Sequence, residues 1–104
     1  MEIRLEAITI NAKAMTAAKI KTLRSLVSEL GGEVPISGMT REVLFYSARW
    51  DEIQRLAVIE ARRQHLEAPN DVRCANYALD ILGVPNEHSE ADQDEKGNWI
   101  VYWR

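Results

Sequence analysis

Cysteine is almost missing from this chain, with one residue in 104, Cys74. A lone thiol has no partner for an internal disulfide, and the cysteine pairs of a structural zinc site are lacking. Histidine is nearly as scarce. His65 and His88 stand too far apart for the i, i+4 spacing of a helical metal site. No window approaches the ~18 consecutive apolar residues of a membrane-spanning helix. The opening Met-Glu-Ile-Arg-Leu-Glu offers no basic region followed by an apolar run, so no secretory leader is expected. Positive charge is not in excess either: the net charge is −3, which argues against a surface built for nucleic acid or an anionic membrane. These absences together suggest a cytoplasmic protein that needs no cofactor.

What is present is a sizeable apolar fraction, 46% of 104 residues, enough for the core of a single globular domain spanning 1–104. The most informative stretch is Asn98-Trp99-Ile100-Val101-Tyr102-Trp103-Arg104. As a strand it points Trp99, Val101 and Trp103 to one face, and Ile100 and Tyr102 to the other. Both faces then ask for cover.

Residues 2–10 suggest a first strand, and a helix follows, capped at Asn11 or Thr16. Ile20, Leu23, Leu26, Val27 and Leu30 form its apolar stripe, and Gly31-Gly32 ends it. Residues 33–36 suit a short edge strand, because Pro35 cannot donate to a ladder. After a turn at 37–40, residues 41–48 read as the central strand, with Val43 and Phe45 opposite Leu44 and Tyr46. A long helix is expected over 50–67. Ala68-Pro69 breaks it, and Asn70 caps a third helix with a stripe of Val72, Ala75, Leu79 and Leu82. Residues 86–98 form an acidic segment whose 94–98 portion reads as a hairpin turn with glycine at the left-handed position.

The order strand, helix, short strand, strand, helix, helix, strand predicts an α+β sandwich. Apart from the extra helix before the C-terminal strand, it is the βαββαβ order of the ferredoxin-like, split βαβ class. Such a sheet carries helices on one face and leaves the other open. An open face rich in Trp, Tyr and Ile is a large apolar patch for a monomer. It needs a second copy, another protein, or the third helix folded across it.

Catalytic signals are thin. Asp92, Asp94, Gly97 and Asn98 partly mimic a calcium loop, but Lys96 and Trp103 stand where further ligands belong, so a solvated hairpin is the better reading. Cys74 lies early in a helix beside Arg73, with no histidine near in sequence, and reads as packing. Serine elbows, phosphate-cradling glycine loops and paired buried carboxylates are not found.

Two stretches resemble known families. Arg41-Glu-Val-Leu-Phe45-Tyr46 is similar to the aromatic RNA-stacking strand of RRM domains, without that motif's glycines. Phe45-Tyr46-Ser47-Ala48-Arg49-Trp50-Asp51-Glu52, followed by a helix carrying His65, resembles the small dimeric ferredoxin-like monooxygenases and their non-catalytic relatives. That resemblance implies open sheet faces paired in a homodimer. It places no catalytic residue.

The reading that follows is a small non-catalytic domain that regulates or inhibits a partner protein. Its expected contact residues are the aromatics Tyr46, Trp99, Tyr102 and Trp103 and the acidic Glu87, Glu90, Asp92 and Asp94. A basic partner, such as part of a nucleic-acid-handling complex, would suit the acidic loop. The rivals are a homodimeric monooxygenase-like enzyme, an RNA-binding domain, and a plain core role for Trp99 and Trp103. An RNA binder should gather Lys19, Lys21, Arg24, Arg41, Arg49, Arg62 and Arg63 on one face.

Overall fold

A computed structural model describes residues 16–36 and 40–104. The expected first strand, the alternative cap at Asn11 and most of the expected turn at 37–40 lie outside the described residues. Helix α1 spans Ala17–Glu29, and Thr16 is its N-cap, accepting a hydrogen bond from the Lys19 backbone N–H at 3.3 Å. Ile20, Leu23 and Val27 are buried along it, and Leu30 follows at the C-cap. The next residue, Gly31, has φ +76, the left-handed position that closes a helix at no steric cost to glycine.

Strand β1 is only Gly32–Glu33, since Pro35 stops the ladder, and β2 is Glu42–Phe45. Tyr46 is already the N-cap of α2, Ser47–Arg63, so this helix starts and ends earlier than the sequence predicts. At its C-terminal end His65 takes φ 56, and the Leu66 N–H turns back to the Ala61 carbonyl at 2.8 Å. That left-handed residue ends the helix before Pro69 is reached.

Helix α3, Asp71–Ile81, is capped as expected by Asn70, whose Oδ1 accepts from the Arg73 N–H at 3.0 Å. Its buried set is Cys74, Ala75, Ala78, Leu79 and Ile81. Val72 is exposed instead, at the first turn, beyond the reach of the core.

Strands β3, Ser89–Gln93, and β4, Trp99–Trp103, form a hairpin. The acidic segment, read from the sequence as a hairpin or loop, supplies strand β3 although Ser-Glu-Ala-Asp-Gln has little strand propensity. Pairing with β4 overrides that weak local preference. The turn is as predicted. Gly97 has φ 82, and the Asp94 Oδ1 accepts the backbone N–H groups of Lys96 and Asn98, both at 2.9 Å.

The sheet is antiparallel, in the order β1-β2-β4-β3. The domain is thus a small α+β structure with four described strands and three described helices. β2 is flanked by β1 and β4, so the C-terminal strand sits beside the central one. The described residues do not give the split βαβ order. The departure is visible in the register: β4 pairs directly with β2, Val101 opposite Val43, and β3 lies on its other side.

Register assigns the faces. Val43, Phe45, Val101 and Trp103 point to one side, where they form one core with residues from all three helices. Glu42, Leu44, Ile100 and Tyr102 point to the other. Among the described residues no helix covers that second face.

Candidate functional site

The open face is built in two rows that run across the sheet. In one, Glu33 of β1, Leu44 of β2, Ile100 of β4 and Asp92 of β3 are cross-strand neighbours. In the other, Tyr102 stands between Glu42 and Glu90. Leu44, Ile100 and Tyr102 are half-buried, Glu42 is half-buried, and Glu33, Glu90 and Asp92 are exposed. Each row therefore has an apolar centre with a carboxylate at either end. The two banks of the trough are Glu33 with Glu42, and Glu90 with Asp92.

Ion pairs among the described residues join Arg49 to Glu52 and Arg63 to Glu60, both on α2. The four bank carboxylates have no such cation among the described residues. Glu33 accepts a hydrogen bond from the Tyr46 hydroxyl, and Asp92 Oδ1 accepts from the Gln93 backbone N–H at 2.8 Å. The bond to Glu33 holds the Tyr46 phenol above its ordinary pKa, because the protonated form is the donor; desolvation and the nearby carboxylate charge add to it.

The expected contact residues divide. Tyr102, Glu90 and Asp92 come together on the open face, and Tyr46 stands at its border. Trp103 does not belong there: it is 1% exposed and part of the core. Trp99 also points to the core side, half-buried and stacked on Trp50 with ring centroids 5.0 Å apart. Asp94 is occupied in closing the hairpin turn. Glu87 is exposed at the bend before β3.

Sequence reading missed Glu33, Glu42, Leu44 and Ile100 as members of a shared site. The alternation of β2 and β4 already grouped Ile100 with Tyr102 and Leu44 with Tyr46. The register that brings the strands side by side could not be read.

Catalytic arrangements are not assembled among the described residues. Cys74 is buried, and burial, helped by the charge of Asp71, pushes its thiol up, away from a reactive thiolate. Trp50 is 0% exposed and sealed between Phe45 and Trp99, while His65 lies past the far end of α2, about 20 Å along the helix. No three His, Cys, Asp or Glu side chains gather as a metal-holding group among the described residues. A groove between α2 and α3 is lined by Ala57, Glu60, Ala61, Leu66, Tyr77 and Asp80. Burial first, and the charge of Glu60 second, raise the Tyr77 phenol.

The basic residues do not gather on one part of α2. Arg49 lies in its first turn and Arg62 and Arg63 in its last, about 20 Å apart along the axis. Among the described residues no helix is long and apolar enough to cross a membrane. No known family model, curated protein or solved structure matches the chain.

Proposed function

We propose that this domain is a small non-catalytic protein-binding module that regulates or inhibits its partner through the open sheet face. The observation that carries this reading is the trough itself. Its apolar floor of Leu44, Ile100 and Tyr102 lies away from every described helix, between the carboxylates of Glu33, Glu42, Glu90 and Asp92. An apolar centre with a charged rim is the anatomy of a protein interface. The α+β sandwich is its framework, and a ferredoxin-like order is not needed for it.

Charge weighs against the rival readings. Stacking two copies face to face, as in the monooxygenase-like dimer, would bring eight carboxylates together with little to neutralise them. An RNA backbone would meet the same negative field. A basic protein would gain by it, and components of nucleic-acid-handling complexes carry such surfaces.

A photo-crosslinking residue placed at Ile100, compared with one at the exposed Ile59 on α2, tests the reading in cells. One defined protein should be captured from position 100 and not from 59. Once purified, it should bind the unaltered chain and lose at least tenfold in affinity to Ile100→Lys. Equal capture from both positions, or indifference to Ile100→Lys, would refute the reading.

A further inference from the structure

We infer that the occupant of the open face is a basic amphipathic helix of the partner, laid along β4 between the two acidic banks. This rests on the reading of the face as a protein-binding surface and goes on to specify the shape and charge of what binds.

The width of the trough favours a helix. Neighbouring strands lie about 4.8 Å apart. Glu42 and Glu90 are two strands apart across Tyr102, so about 10 Å separates their backbones; Glu33 and Asp92 are three apart, so about 14 Å separates theirs. A helix with its side chains is about 10–12 Å across. One helix therefore fills the gap and has a flank against each bank. A single extended strand is too narrow to reach both.

The length of the trough fits as well. Ile100 and Tyr102 are two residues apart on β4 and so about 6.8 Å apart along the strand. Side chains at i and i+4 of a helix are separated by about 6 Å along its axis. An apolar stripe at i, i+3, i+4 and i+7 can thus set one turn over the Leu44–Ile100 pair and the next over Tyr102.

The charges choose the flanks of that helix. Four carboxylates line the trough with no ion-pair partner among the described residues. The described cations near its ends are Lys96 in the turn, which lines a shallow hollow with Glu33, Leu44 and Tyr46, and Arg41 and Arg104 at the other end; none of them forms an ion pair with the four carboxylates. Lys or Arg on either side of the partner's stripe would lay their methylene stems beside the floor and their charged ends on the banks. A second copy of this chain would present carboxylates instead.

The test is an amide-resolved NMR titration of the full chain with an 18-residue Leu/Lys peptide. Its leucines stand at helical i, i+3, i+4, i+7 spacing with lysines on both flanks, and a scrambled peptide of the same composition is the control. Shifts should centre on Leu44, Ile100, Tyr102, Glu42 and Glu90, and the amphipathic peptide should bind at least tenfold more tightly than the scrambled one. The double variant Glu42→Gln/Asp92→Asn, with its fold checked by the same spectra, should lose a further tenfold. Equal affinity for both peptides would overturn the inference in favour of bare charge attraction. Shifts centred on the α2–α3 groove, no binding at all, or a solution mass that doubles with concentration would also overturn it. If the peptide fails while Ile100→Lys still releases the cross-linked partner, only the helical occupant is wrong. If both fail, the binding face is wrong as well.

Discussion

Trp50 of α2 stacks on Trp99 of β4, with ring centroids 5.0 Å apart and planes inclined by 18°. This contact ties the second helix to the start of the C-terminal strand. Phe45 extends the cluster, 6.1 Å from Trp50. The aromatics that drew attention in the sequence are therefore spent largely on holding the helices to the sheet.

The stack has an energetic signature. Trp50 is 0% exposed, so Trp50→Ala should cost about 3–5 kcal/mol of stability. Trp99 is half-buried, so Trp99→Ala should cost about 1–3 kcal/mol. Denaturant unfolding of the single and double variants should show a coupling of about 1 kcal/mol. Additive losses would mean that the stacking contributes nothing beyond burial.

Ser89 and Trp103 are cross-strand partners, and the Ser89 hydroxyl and the Trp103 indole N–H are both buried without a hydrogen-bond partner among the described residues. An unpaired buried hydroxyl is a cost to the fold. Ser89→Ala should therefore be neutral or stabilising by up to about 1 kcal/mol. Trp103→Ala should cost about 3–5 kcal/mol through the cavity it leaves. A loss above about 2 kcal/mol for Ser89→Ala would show that its hydroxyl is bonded in solution.

The glycines should rank by what a methyl group would strike. At Gly32 it would lie 2.5 Å from the Leu44 carbonyl oxygen, a backbone atom of the neighbouring strand, so Gly32→Ala should part β1 from β2 and cost about 2–3 kcal/mol. At Gly97 it would meet open space, leaving only the strain of φ +82, about 1 kcal/mol. Thermal midpoints should fall further for Gly32→Ala. The reverse order would mean that β1 moves freely.

Tyr46 is set for a pH measurement. Its hydroxyl donates to Glu33, which raises the phenol above its ordinary value. The folded state holds this proton more tightly than the unfolded one. The bond's contribution is thus complete below a pH of about 10 and is lost as pH rises through the raised value. Ultraviolet titration of the unaltered chain, minus that of Tyr46→Phe, should show ionisation above that of free tyrosine. Glu33→Gln should bring it back toward the ordinary value. No change in Glu33→Gln would rule out the bond as the cause.

Much of the local structure was legible. Asn70 as a cap, Thr16 as one of two candidate caps, Gly31 as a terminator and the Gly97 turn all follow from side chains that satisfy or release nearby backbone groups. The faces of β4 followed from strict alternation. Less legible were the ends of α2, fixed by Tyr46 and the left-handed His65 rather than by any strong signal. Strand β3 was hidden for another reason. Its residues are poor strand formers, held in the sheet by partners about ten residues away in sequence.

Composition and contacts within a few residues suffice for the three described helices, for β2 and β4, and for the apolar stripes that meet in one core. Which side of the sheet the tryptophans serve, and that Glu33, Glu42, Glu90 and Asp92 bank one trough, follows from the folded sheet alone. Strand order and register set both, and they arise from pairings between distant segments whose alternatives share the same local pattern.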